Sequence, residues 1–299
     1  MINGIINVYK QKGYTSFDVV AIMRGILGQK KVGHTGTLDP DAEGVLPVCA
    51  GNATKLCDML TDKSKEYVAT FVLGKKTDTL DISGKVLEER EPKVSIEDLK
   101  ASINSFIGGY NQYPPMYSAK KINGKKLYEL ARDGKEVERK PVFVEIIGIE
   151  TIDISYPYVT IKVACSKGTY IRSLCEDIGA KCGELACMTS LKRTRVGNFT
   201  IDKALTLDEI TGLKNEGKLL NALTPTDFAF MDKKEARIIP QFRKLLDNGN
   251  KLSPVMLDCE GVLNGETVRV YNDDNEFVGL YTYEDSLKIF KPFKMFIGE

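Results

Sequence analysis

Histidine is nearly absent from this chain: one residue, His34, among 299. No Cys-x-x-Cys pair and no His-Glu-x-x-His run accompanies it, so the usual ligand sets of a zinc or other transition-metal centre are missing and no metal is expected. The seven cysteines are scattered and odd in number, which suits reduced thiols better than a disulfide framework. There is neither a Gly-x-x-x-x-Gly-Lys-Ser/Thr loop nor a Gly-x-Gly-x-x-Gly fingerprint, so neither nucleotide energy nor a dinucleotide cofactor has support. A Gly-x-Ser-x-Gly elbow is also lacking, and a serine triad would have to recruit His34. No run approaches the roughly 18 apolar residues of a membrane span. The N-terminal stretch has no basic head leading into an apolar segment, so no secretory signal is expected. Neither sign of charge dominates, and the formal net charge of +1 neither demands nor forbids a nucleic-acid partner, because phosphate binding needs only a local basic surface. These absences leave a cytoplasmic protein without cofactor or membrane anchor as the expectation.

What is present reads as a mixed α+β chain. Ser16 is placed to cap a helix over 17–27, whose Val19, Val20, Met23 and Leu27 share a face and whose end is Gly28. Residues 67–73 alternate like a strand, and 142–154 with 158–165 read as two strands joined at Tyr156-Pro157. Ser95 to Asp98 resembles a capping box for a helix stopping at Gly108-Gly109, and Thr206 to Glu209 is another. Ile171, Leu174 and Ile178 fall at helical spacing. Beyond about Asp232 the texture changes to a short helix and brief β segments. The length allows one large or two unequal domains, and the division expected is 1–232 and 233–299. Acids slightly outnumber bases in the second part, so charge gives no support for RNA binding there.

Three stretches carry chemistry. Residues 33–44, from Gly33 to Gly44, hold three glycines, the one histidine, and Asp39, Asp41 and Glu43. Glycines admit close backbone approach, and Pro40 stiffens the turn. Composition reads this equally as a plain turn with solvated acids and does not rank Asp39 above the other two. Tyr113 to Tyr128 carries Lys120, Lys121, Lys125 and Lys126 among tyrosines with no acid. Leu185–Ile201 brings Lys192, Arg193 and Arg195, again without acids. Cations that track phosphates beside rings that stack bases are the usual RNA footprint, and a solvated basic face is the competing reading. Finally, Cys165 to Arg172 runs from a strand into a helix. Arg172 in the first helical turn opposes the helix dipole, so an anionic partner is expected.

Taken in order, these residues resemble the TruB family of tRNA pseudouridine synthases. The resemblance rests on Gly33-His34-Thr35-Gly36-Thr37-Leu38-Asp39-Pro40 with Ala42 and Gly44, on Lys65-Glu66-Tyr67, on Met116-Tyr117-Ser118-Ala119 with Gly124-Lys125 and Leu127-Tyr128, and on Ser166 to Arg172. It covers about residues 4–230. It implies a largely antiparallel sheet in a pseudouridine synthase catalytic domain, with a C-terminal module similar to a PUA-type β domain. Asp39 resembles the catalytic aspartate, Tyr67 the tyrosine that stacks on the target base and takes part in proton transfer, and Arg172 the arginine that pairs with the aspartate. Tyr170 lies beside Arg172. His34 resembles the residue that helps hold the tRNA arm, Leu191 the apolar pocket residue, and Lys10 a lysine that the family follows with proline, where this chain has Gln11. The implied activity is isomerisation of uridine to pseudouridine at position 55 of the tRNA T loop, by a monomer without cofactor. The rivals are a non-catalytic RNA-binding or tRNA-folding module, a guide-RNA-dependent pseudouridine synthase, and an aspartate-nucleophile hydrolase.

Overall fold

The computed structural model describes residues 1–122, 124–135 and 137–296. In chain order the strands and helices are β1 (Gly4–Lys10), α1 (Ser16–Leu27), β2 (Val32–His34), β3 (Glu43–Ala50), α2 (Cys57–Thr61), β4 (Lys65–Leu73), β5 (Lys75–Thr77), β6 (Val86–Glu89), α3 (Ile96–Asn104), β7 (Gly108–Gln112), β8 (Lys121–Ile122), β9 (Lys125–Lys126), α4 (Leu127–Arg132), β10 (Val142–Ser155), β11 (Tyr158–Cys165), α5 (Ile171–Lys181) and β12 (Ala186–Val196). They continue as β13 (Phe199–Thr200), α6 (Leu207–Asn215), β14 (Leu223–Thr224), β15 (Glu235–Ile238), α7 (Arg243–Asp247), β16 (Leu257–Asp258), β17 (Thr267–Tyr271), β18 (Phe277–Glu284) and β19 (Ile289–Met295).

One large sheet runs β14-β1-β3-β12-β4-β11-β10-β7 and is antiparallel except where β12 meets β3. A second sheet, β16-β15-β17-β18-β19, forms the C-terminal part. Period-two alternation explains the layers. On β4, Tyr67, Ala69, Phe71 and Leu73 turn toward a core completed by Leu99 and Ile103 of α3 and by Leu174 and Ile178 of α5. The residues between them, Glu66, Val68 and Thr70, face away and are half-buried. On β1 and β3 both faces are covered. Ile6, Val8, Leu46 and Val48 meet α1 and α6, while Ile5, Val45 and Cys49 pack on the other side with Phe230 and with Leu280 and Phe296 of the C-terminal part.

Two expected boundaries move. Thr15, not Ser16, caps α1: its hydroxyl accepts the Asp18 N–H while the Asp18 carboxylate accepts the Thr15 N–H. That reciprocal box needs an acid three residues on, which Thr15 has and Ser16 lacks. The helix capped by Ser95 ends at Asn104, before the two glycines, because Gly108-Gly109 belong to edge strand β7.

Candidate active site

Residues 35–42 link β2 to β3, and what fixes them is mostly buried. Leu38 and Ala42 sink into the same core as Tyr67; burial of a leucine contributes about 1.5–3 kcal/mol. The Ser16 hydroxyl, freed from capping, accepts the Leu38 N–H at 2.9 Å and donates to the Leu38 carbonyl at 3.4 Å. Lys10, at the end of β1, is completely buried, and its Nζ donates to the carbonyls of Ala42 (2.5 Å), Pro40 (3.1 Å) and Gln11 (3.2 Å). Lys10, expected to meet substrate, has its ammonium engaged under the loop, where burial pushes its pKa down to about 8. Arg193 of β12 is 1% exposed and donates to Val45, Gly36 and Thr37 carbonyls at 2.8, 3.2 and 3.4 Å. Its reading as a phosphate-tracking cation is corrected for the same reason.

Between the buried Leu38 and Ala42, the Asp39 side chain emerges 41% exposed and is met by Arg172, whose Nε lies 3.0 Å from Oδ2. Oδ1 has no donor among the described residues. The geometry separates the three acids of this loop. Asp41 is exposed, and Glu43 is tied to Lys192 at 2.8 Å.

Arg172 is itself over-determined. Its Nη1 donates to the Thr79 carbonyl (3.0 Å) and its Nη2 to the Tyr117 carbonyl (2.8 Å). Asp81 adds a second carboxylate 3.6 Å from Nη1. The sequence reading missed Asp81. Its signal was Asp78-Thr79-Leu80-Asp81-Ile82-Ser83-Gly84, two aspartates three apart before a glycine, which reads as an ordinary turn. Here Leu80 has φ +65°, a left-handed conformation costing a leucine about 1–2 kcal/mol. The loop holds it by pairing with β12: Leu80 and Ile82 exchange hydrogen bonds with the Met188 backbone.

Tyr170 precedes α5, and Gln112 of β7 grips its backbone, the amide oxygen accepting the Tyr170 N–H (2.8 Å) and Nε2 donating to its carbonyl (3.0 Å). Tyr67 stands on β4 directly opposite Arg193. Burial pushes its phenol up, and the Arg193 charge works against that rise. The Asp39 charge acts on both phenols, Tyr67 and Tyr170. Leu191 packs half-buried against this core. The His34 ring accepts the Gly36 N–H on Nδ1 at 3.2 Å and sits edge-on to the exposed Phe17 ring, 5.5 Å between centroids. Burial, then Arg193, lowers its pKa, favouring the neutral ring. Lys120, Lys121 and Lys125 lie on or beside the β8–β9 hairpin, in the same Tyr113–Tyr128 segment as Tyr117, whose carbonyl accepts from Arg172; Lys121 and Lys125 are exposed. Among the described residues no three His, Cys, Asp or Glu side chains stand together as a metal site, and no helix is long and apolar enough to cross a membrane.

The pattern of the TruB family pseudouridylate synthase N-terminal domain matches residues 24–171, and that of the tRNA pseudouridylate synthase B C-terminal domain matches 172–231. A tRNA pseudouridine synthase B of Lachnoclostridium phytofermentans is 48% identical over 308 aligned positions, spanning 99% of this chain and 100% of that protein. The chain belongs to the TruB family. A second member, the tRNA pseudouridine synthase B of Clostridium tetani, is 47% identical over 93% of this chain and 94% of its own length. A solved H/ACA RNP bound to a substrate RNA containing 2'-deoxyuridine includes a chain that superposes with a TM-score of 0.76 at 25% identity, covering 99% of this chain and 85% of that one. The two TruB family patterns meet inside α5, so Asp39 and Arg172 come from different sides of the join, and neither segment alone makes the ion pair.

Proposed function

We propose that this chain isomerises the uridine at position 55 in the T loop of tRNA to pseudouridine, acting as a cytoplasmic monomer. Residues 1–232 would carry the chemistry, with 233–299 as a PUA-like RNA-binding module. The observation that carries the reading is Asp39: a half-exposed carboxylate with one oxygen held by a buried arginine and the other open.

The reaction breaks the N1–C1′ bond, turns the uracil and joins C5 to C1′; the C5 proton leaves and N1 gains one, so nothing is oxidised and no group is lost. A base in a stacked loop must first be flipped out to be reached. Tyr67 and Leu191 offer it a ring and an apolar wall. His34, Tyr170 and the lysines at 120, 121 and 125 would grip the RNA around it. Arg172 orients Asp39, whose free oxygen can act on C1′ as nucleophile or on C2′ as base.

The test is Asp39→Asn on an unmodified T-arm stem-loop, with no guide RNA or other protein added. Wild type is expected to form pseudouridine alone. The variant, nearly isosteric, should lose at least about 1,000-fold in turnover while RNA affinity stays within about threefold. Residual turnover within about tenfold of wild type would sink the assignment of Asp39. A wild-type protein that works only with an added guide RNA points to the ribonucleoprotein type, and one that only binds points to a folding module.

A further inference from the structure

We propose that Arg193 is a positioning residue for the reaction, locking the loop that carries Asp39 and the phenol of Tyr67 into one arrangement. This rests on the isomerase reading above and adds a residue to it. Arg193 is buried and, among the described residues, has no carboxylate within ion-pair distance. A lone cation in a core is a costly way to fill space, and an apolar side chain of the same volume would serve packing better. Its position accounts for the charge. β12 lies between β3, which leads out of the catalytic loop, and β4, which carries Tyr67. At Arg193 it pairs with both, Gly44 on one side and Tyr67 on the other. A bulge between Arg193 and Arg195 interrupts the register there, and bulges re-aim side chains. The guanidinium directs N–H groups at Gly36, Thr37 and Val45, and its charge acts on the phenol of Tyr67, which stands opposite it on β4. One planar fork thus fixes the loop three residues before Asp39 and the ring that would meet the base.

The test compares Arg193→Met and Arg193→Lys with wild type. In Arg193→Met, kcat on the T-arm stem-loop is expected to fall at least about 100-fold with KM within about threefold, because positioning is lost and RNA contacts are not. Lysine keeps the charge but cannot span the carbonyls and the phenol, so Arg193→Lys should fall about tenfold. Two readouts need no turnover. Amide hydrogen exchange over residues 36–42 should quicken by about tenfold or more, and the fluorine resonance of a 3-fluorotyrosine placed at 67 should shift or broaden. A wild-type protein that forms no pseudouridine defeats the isomerase reading without touching these two. The positioning role is overturned if kcat of folded Arg193→Met stays within about threefold of wild type, if KM rises as far as kcat falls, or if exchange and fluorine signals are unchanged. Should the methionine variant fail to fold, an unchanged kcat in folded Arg193→Lys overturns it.

Discussion

Lys10 holds three carbonyls from a position no water reaches, and this makes the loop sensitive to pH. Burial lowers its pKa from the ordinary 10.5 to about 8, so between about pH 8 and 10.5 the unfolded chain binds more protons than the folded one. The sign follows: the cost of burying this charge is fully present below about pH 8 and is relieved toward 10.5, so the Lys10 contribution to fold stability improves with rising pH. The tether does the opposite. An ammonium has three donors for three carbonyls, while a neutral amine has two and turns a lone pair toward the third. The kcat at saturating RNA is therefore expected to show an alkaline limb near pH 8 that is missing from Lys10→Met, which should be uniformly slower. A limb of the same position in both proteins would remove Lys10 as its cause. The role was half legible in the sequence. Resemblance marked Lys10 and raised a doubt at Gln11, which stands where the family has proline. What Lys10 takes from residue 11 is the backbone carbonyl, and proline would supply the same atom. Side-chain pattern could not say that this lysine faces inward, because that depends on β1 being covered on both faces.

Among the elements, β12 shows where reading by periodicity fails. Val142–Ile154 and Tyr158–Cys165 announce themselves as strands because they are rich in β-formers and a turn joins them, although β10 also has two register shifts. Strand β12 is central to the sheet, yet its sequence reads as a basic RNA-binding stretch. Two irregularities, between Met188 and Ser190 and between Arg193 and Arg195, reverse the in–out order, and a single slip moves every following side chain to the other face. The glycine-rich loop was legible as a place of close approach, but the approaching partner was not. At Gly44, φ is +110° and an added Cβ would lie 2.2 Å from the Arg193 carbonyl oxygen. The glycine is required by strand-to-strand contact rather than by a ligand. Gly44→Ala must force β3 from β12 just where the loop ends, and it is expected to destabilise the fold by about 3 kcal/mol or more, measured by urea unfolding. A loss below about 1 kcal/mol would mean that the strands part easily there.

Across the whole molecule, the change of texture near Asp232 marks the passage from the large sheet to the small one, but it hides how firmly the two are joined. One apolar cluster contains Ile5, Val45 and Cys49 of the sheet that carries the Asp39 loop, Phe230 just before the transition, and Leu280 and Phe296 beyond it. Phe277 and Phe296 stack at 5.3 Å, and each lies 6.2 Å from the Phe230 ring. Polar contacts reinforce this: the Tyr271 hydroxyl donates to Asp227 at 2.6 Å, and Lys55 donates to the Met295 carbonyl at 3.0 Å. Long-range contacts of this kind leave no local signature, since each strand needs only its own alternation to be recognised. The small sheet therefore serves as the far wall of β1 and β3 and supports the loop from behind. Wild type should unfold in one calorimetric transition. Phe230→Ala, which empties the centre of the cluster, should lower stability by about 3–5 kcal/mol and resolve a separate, earlier transition for the C-terminal sheet. It should also quicken hydrogen exchange in β3, although residue 230 lies far from Asp39 in sequence. Two transitions already present in wild type, or β3 exchange unchanged in the variant, would show that the sheets are merely neighbours.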